Sequence, residues 1–359
     1  MSKKSDQSAS LSFFAAANGY SGFRSYFNSI FDPRGYESLY ILKGGPGTGK
    51  SSFMKRLSVD VGPMADECEA IYCSSDPSSL DGVIIKSGER QVAVIDGTAP
   101  HSSDPAFPGA VDKIINLGEN WDEELLIKER DRIISLAESK GRSYKKAYKY
   151  LSVAGKITEI VDGEVRKLYQ KNDGAALSSL LSDLAPQEGR VDVRLVSAYG
   201  KDGFVSLDTL SHIASKQYSV VGVYGSEYVF MSRLIVRLNQ LRVNYTLFPD
   251  ALDGDKAYAV LIPSAGLAVT TARSCGIDDE HAIDTSRFLD QRGLKDERSH
   301  LEFLWQERES LLWSAADQFK KASYEHFELE KIYSTAMDFS KNEELYRRCV
   351  TDIKKKLAL

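Results

Sequence analysis

One frame occurs twice in this chain. Residues 40–57 read YILKGGPGTGKSSFMKRL, and residues 219–234 read SVVGVYGSEYVFMSRL. Both pass from a strand-like apolar run through a glycine-bearing turn into Phe-Met-x-Arg-Leu. The correspondence continues in order along the chain. NGYSGFRSYF at 18–27 resembles YGKDGFVSLD at 199–208, with Gly22 matching Gly203, and Phe53 matches Phe230. SSLDGVII matches DALDGDKA with Leu80 on Leu252, and GAVDKIINL matches HAIDTSRFL with Ala110 on Ala282. KERDRIISL at 128–136 pairs with QERESLLWS at 306–314. Five matches in one order, with drifts that small insertions explain, imply a tandem duplication with units near 8–189 and 190–359. Whatever one unit folds into, the other is expected to form as well.

Within each unit the order of elements is the same. Apolar runs at 39–43, 69–73 and 91–95 predict buried strands, and 50–60 predicts a helix between two of them. That alternation implies parallel strands with crossover helices. A long charged helical part follows, 119–184 in the first unit and 294–357 in the second, where Leu301, Leu304, Trp305, Leu311, Leu312 and Phe319 predict buried packing. Gly141, Gly155, Gly163 and Gly174 predict several helices or kinks in the first. The expected architecture is α/β: parallel sheet layers, tandemly duplicated, each followed by a helical extension. The divisions are 8–118, 119–189, 190–293 and 294–359.

The length, 359 residues, suffices for two domains with real cores. No apolar run approaches a membrane span, and the opening MSKKSDQSAS-LSFFAAA is too short for a secretory signal, so a cytoplasmic protein is expected. A formal net charge of -5 gives no global reason to expect nucleic acid. The run ESKGRSYKKAYKYLS at 138–152 interleaves lysines with tyrosines, which suits single strands but equally a helix with tyrosines inward and lysines in water. Acidic WDEELL nearby favours the second reading. Cys68, Cys73, Cys275 and Cys349 lack paired spacing and histidine neighbours, so free thiols are expected rather than a disulfide or zinc site.

Gly44 to Ser51, GGPGTGKS, fits G-x-x-x-x-G-K-[ST] and lies between a strand and a helix. Gly44, Gly45, Pro46, Gly47, Thr48 and Gly49 form a turn whose N–H groups can converge on a phosphate, helped by the helix dipole. Lys50 is expected to reach the outer phosphates, Ser51 to give a hydroxyl to magnesium, and Ser52 to contact phosphate. QVAVIDG places Asp96 at a strand tip as a second magnesium anchor, although aspartates there also cap turns. The loop that follows, GTAPHSSDPAFPGAVD, leaves from the strand end where ligands of open α/β sheets bind, which makes His101 and Asp104 candidates for the γ-phosphate, its water or an acceptor. Both equally suit loop-organising hydrogen bonds. Asp76 reaches the same edge.

Gly44 to Ser51 with Asp96 resembles the P-loop nucleoside triphosphatases. More narrowly, GGPGTGKS, SLDGVII and VIDGTAPHSSDPAFPGAVDKIINLG with a degenerate second copy look like an uncharacterised bacterial family of tandem P-loop ATPases. The resemblance implies a P-loop NTPase-like fold and ATP binding with Mg2+, with no established substrate.

In the second copy, counting back from Phe230 without a gap puts Glu227 at the place of Lys50 and Tyr228 at that of Ser51, in a loop about two residues shorter. Thr271 falls opposite Asp96. That copy is not expected to bind Mg-ATP. Its kept residues, including the arginine matching Arg56, and Asp81 and Gly82, read as structural. Arg273 is a candidate internal arginine finger, with an ordinary surface arginine as the rival reading.

The leading functional expectation is a slow Mg-dependent ATPase using the N-terminal site, with a protein partner or acceptor engaged through the helical extensions. Gly97 stands where many P-loop motors carry a water-polarising glutamate, which keeps two rivals open. One is a kinase with an unknown acceptor, the other an ATP sensor that does not turn over.

Overall fold

The computed structural model describes residues 11–100, 102–271 and 281–359. The first half runs β1 (Leu11–Phe14), β2 (Ala16–Gly19), β3 (Gly22–Ser25), α1 (Phe27–Ile30), β4 (Ser38–Lys43), α2 (Lys50–Asp60), β5 (Glu67–Tyr72), β6 (Leu80–Ser87), β7 (Arg90–Asp96), β8 (Asp112–Asn116), α3 (Glu123–Lys128), α4 (Arg130–Leu168) and α5 (Gly174–Leu181). The second runs β9 (Val191–Val193), β10 (Ser197–Gly200), β11 (Gly203–Ser206), α6 (Thr209–Ile213), β12 (Lys216–Val221), α7 (Ser226–Gln240), β13 (Tyr245–Pro249), β14 (Ala257–Ile262), β15 (Leu267–Thr270), β16 (Ala282–Asp284), α8 (Gln291–Thr335) and α9 (Phe339–Leu357).

The protein is α/β with two six-stranded sheets. The first is ordered β1-β5-β6-β7-β4-β8, the second β9-β13-β14-β15-β12-β16. Element for element, the two orders coincide. Both sheets are mixed, which corrects the expected parallel layer. In the first, β6 runs antiparallel to β5 and β7, while β1–β5 and β7–β4–β8 are parallel. Only Gly88 and Glu89 join β6 to β7, a span that can close a hairpin but not a crossover.

Each sheet is covered on both faces, so its strands read as continuous apolar runs. Along β4, Leu39 and Ile41 enter a central cluster shared with Phe248, Tyr258 and Ala268 of the other sheet. Tyr40 and Leu42 point the opposite way, toward Phe53, Met54 and Leu57 of α2.

The helical extensions are exchanged. On the first sheet α2 is joined by Tyr346, Cys349, Ile353 and Leu357 of α9, the last helix of the second half. On the second sheet α7 is joined by Leu177, Leu180 and Leu181 of α5, from the first half. The arginine kept in both frames holds each exchanged helix. Arg56 pairs with Glu343 and lies 4.1 Å from the centre of the Tyr346 ring. Arg233 makes a two-pronged pair with buried Asp173, at 2.6 and 2.7 Å.

Between them α4 and α8 lie antiparallel. The stretch 119–184 forms several helices, α3, α4 and α5, the last starting at Gly174, but α4 passes Gly141, Gly155 and Gly163 without a break. Each glycine costs about 1 kcal/mol relative to alanine. A buried stripe including Ala147, Leu151, Val161 and Val165, matched by Leu301, Leu312 and Phe319, outweighs that cost. Bridges between Trp121 and Met337 and between Tyr169 and Leu289 close the two ends of the pair. They make Asp122 and Asp290 counterparts, so 128–136 corresponds to 296–304 and not to 306–314. Tyr144 and Tyr148 pack inward on Phe319, at 5.7 and 5.8 Å between ring centres. Among the described residues Cys68, Cys73 and Cys349 form no disulfide, and Cys275 lies outside the described residues. Among the described residues, no helix is long and apolar enough to cross a membrane.

Candidate functional site

β4 delivers the chain into the loop Gly44–Gly49, and α2 starts at Lys50. Gly44, Gly47 and Gly49 take φ of 145°, 70° and 86°, which side-chain-bearing residues rarely adopt. The N-cap Gly49 has no side chain to satisfy the first amides of α2. Among the described residues, the amides of Gly45, Gly47 and Gly49 donate no hydrogen bond. Lys50 folds back over this loop, donating from Nζ to the carbonyls of Gly44 and Gly45 at 2.9 and 2.8 Å. Thr48, buried, braces the turn by donating to the Gly45 carbonyl at 2.9 Å.

Asp96 ends β7 beside Lys50, its Oδ2 at 3.7 Å from Nζ. Its Oδ1 accepts from the amide and hydroxyl of Thr98 at 2.9 and 2.6 Å. One oxygen thus caps the turn and the other faces the lysine. Ser51 accepts from the Leu80 amide at 3.0 Å, and Ser52 is exposed. Asp104 is exposed and lies 3.4 Å from Lys43, whose Nζ also ties Gly97 and Ser103 together. His101 and Arg273 lie outside the described residues.

The groups that face Lys50 come from elsewhere. A Cβ on Gly47 would sit 2.4 Å from the Glu330 carbonyl, so α8 rests directly on the loop. From α9, Asn342 donates to the Thr48 carbonyl at 3.0 Å and accepts from Asn120 at 2.7 Å. Lys140 of α4 lies 3.3 Å from His326 Nδ1, whose other nitrogen is 3.6 Å from Glu330. Lys201, in the turn between β10 and β11, reaches Asp76 at 2.8 Å. Burial, reinforced by the charges of Lys140 and Lys50, pushes His326 down to about 4, so the imidazole is neutral at pH 7. Burial raises Glu330 and lowers Lys140, and both feel Lys50. The sequence assigns Lys140 only to a helix with lysines in water or to single-strand binding, and gives no role to Lys201, His326, Glu330 or Asn342. They sit in helical or hairpin segments far along the chain from the loop, where nothing local distinguishes them from surface charges.

The second frame is built alike but filled from within. Gly225 caps α7 at φ 85°, as Gly49 caps α2. Aligned on these caps, Ser226 stands opposite Lys50 and Glu227 opposite Ser51, one residue earlier than the gapless count. The loop from Gly222 to Gly225 is two residues shorter than Gly44 to Gly49. Buried Ser226 bonds Thr285 at 2.7 Å, accepts from the Val223 amide at 3.2 Å, and gives its own amide to the Val223 carbonyl at 3.0 Å. Thr271 bonds the Tyr258 carbonyl at 3.1 Å. The facing charges pair internally: Tyr228 with Asp250, Lys256 with Asp162, and Arg308 with Tyr20, Thr158 and Glu309. Glu227 is buried and its carboxyl is raised, chiefly by that burial.

Compared with known proteins, the chain matches no family model, no curated protein and no solved structure.

Proposed function

We propose that this chain is a P-loop protein that binds Mg-ATP at Gly44–Ser52 and hydrolyses it slowly, and that its halves descend from one duplicated unit whose second site has closed. The observation that carries this reading is the contrast between the loops. The first presents undonated amides, a helix N-terminus and Lys50 to one point, which is chemistry for a phosphate chain. The second is two residues shorter, has a serine where the lysine stands, and closes Val223 and Ser226 on each other and on Thr285. Identical strand orders and matching glycine caps support the duplication.

In this reading Lys50 leaves the loop carbonyls for the β- and γ-phosphates. Magnesium accompanying the nucleotide would be held by Ser51 and Asp96 and would offset phosphate charge; one carboxylate oxygen beside the lysine suits an ion that takes few protein ligands. Lys140 and Lys201 face the far side of the γ-phosphate and stabilise charge developing there. Glu330, raised by burial and in contact with the loop, is placed to take a proton from water. Neutral His326 holds Lys140 in place at Nδ1. The test is calorimetric titration of Mg-ATP into the wild type and Lys50→Ala, with phosphate release followed in parallel. One site per chain, lost in the variant, with basal release, is expected; two sites, or binding untouched by Lys50→Ala, would overturn the reading.

A kinase is the second reading, and Gly97 favours it. A Cβ there would lie 2.3 Å from Ile41 Cγ2, so no water-polarising side chain can follow Asp96. ADP formation that appears only with an acceptor, with the γ-phosphate bound to that acceptor and none released to water, would select it.

A further inference from the structure

A groove of about 280 Å³ opens directly beside the loop, between α2, the turn after β8 and the exchanged helix α9. Gly49 and Ser52 form one wall, Leu117 another, and Phe339, Asn342 and Tyr346 the third. Two of these residues belong to the phosphate-binding segment itself, so a group attached to a bound phosphate would run straight into the groove. Phe339 is about half exposed (49%), and its ring lies 3.6 Å from where a Gly49 Cβ would be. At the other end Tyr346 packs edge-on against Phe53, at 5.0 Å between centres.

Building on the nucleotide reading, we propose that this groove is the nucleoside pocket and that it selects purines by stacking without telling adenine from guanine. A flat ring lodged here meets the half-exposed ring of Phe339. The polar groups that might read a base edge are already engaged. Asn342 uses its amide on Thr48 and its carbonyl on Asn120, and Glu343 is paired with Arg56 and Arg347. With the Ser52 hydroxyl lying at the phosphate end and the charged and amide side chains of the other walls engaged, the groove rewards ring area over hydrogen-bonding pattern. The specificity wall therefore comes from the last helix of the opposite half, which couples nucleotide binding to the docking of α9.

The experiment is a competition panel of ATP, GTP, CTP and inorganic tripolyphosphate on the full chain, in the wild type, Phe339→Ala, Phe339→Leu and Lys50→Ala. ATP and GTP are expected within about threefold of each other, and CTP about tenfold weaker, as the smaller ring stacks less. Both Phe339 variants should weaken ATP and GTP about tenfold and leave tripolyphosphate unchanged. Equal losses for ATP and tripolyphosphate, no loss for either, or a strong preference between ATP and GTP would overturn the pocket. ATP binding indifferent to Lys50→Ala would instead overturn the nucleotide reading beneath it. Tripolyphosphate affinity serves as the folding control for both Phe339 variants.

Discussion

Two loops in this molecule start from the same architecture and end with opposite chemistry. Gly44–Gly49 and Gly222–Gly225 each leave the end of a buried strand and enter a helix through a left-handed glycine. In the first, the charge that follows the cap is Lys50 and the amides remain undonated. In the second, two residues are gone and a buried serine closes the turn on Thr285 and Val223. The surroundings repeat the contrast. By the register that the end bridges set, Lys140 and Arg308 are counterparts, as are Glu330 and Asp162 and, in the hairpin turns, Lys201 and Tyr20. Lys140 feels the charge of Lys50 and Lys201 pairs with Asp76, whereas Arg308 is consumed by a tyrosine, a threonine and a carboxylate. On the nucleotide-binding reading a shared backbone frame is insufficient for an anion site: the two loops differ in length, in the lysine after the cap, and in the serine that closes the second turn on Val223 and Thr285.

The comparison can be broken most forcefully at the exchanged helices. Asp173→Ala strands Arg233 against a buried position and is expected to cost about 3–5 kcal/mol, read by chemical denaturation. The matching change on the first half, Glu343→Ala, removes a far more exposed pair, and its place at the lower end of the scale is taken up below. Next in size, Lys50→Ala should weaken Mg-ATP about a hundredfold in calorimetry while leaving the melting temperature within a few degrees. Ser226→Lys, which restores a lysine to the second loop, should create no second site, because that loop stays closed on Val223 and Thr285. A second stoichiometric site would show that charge alone separates the loops.

Smaller effects sharpen the picture. Lys140→Ala should lower turnover at least tenfold while changing ATP affinity less, since its charge acts on the transferring phosphate. Glu343→Ala should cost under about 1 kcal/mol by the same denaturation assay, as expected for an exposed pair. The smallest effect is pH dependence at His326. An unfolded histidine binds its proton near 6.5, the folded one only near 4, so the unfolded chain holds more protons between those values. Stability contributed by the neutral imidazole is complete above 6.5, declines as pH falls, and is gone below about 4. His326→Gln should flatten that decline in denaturation curves taken at pH 7 and pH 4.5.

The legible part of the site was the part written contiguously. Gly44–Ser51 and Asp96 were readable because a strand, a glycine turn and a helix start occupy adjacent positions, and an aspartate directly after an apolar run is a local pattern. One Asp96 oxygen caps the turn on Thr98, the turn-capping role its position allowed, while the other lies toward Lys50. The helical register was misjudged because charged helices offer many similar nine-residue windows. Only the bridges at Trp121–Met337 and Tyr169–Leu289 discriminate among them. Gly141, Gly155 and Gly163 do not end α4 because helix propensity is worth about 1 kcal/mol per glycine and the apolar stripe along α4 and α8 is worth more.

By itself the sequence determined the α/β class, the repeated frame, and the loop and strand end that bring Lys50 and Asp96 to one edge. Those features depend on local backbone preference and on periodicity within a few residues. Tertiary structure alone decided that β6 inserts antiparallel, that α5 and α9 trade sheets, and that Lys140, Lys201, His326, Glu330 and Asn342 surround the first loop. The physical reason is that these choices rest on long-range burial: each exchanged helix covers an apolar face of the other half's sheet, α9 bringing Asn342 to the loop, while the packing of α4 on α8 brings Lys140, His326 and Glu330.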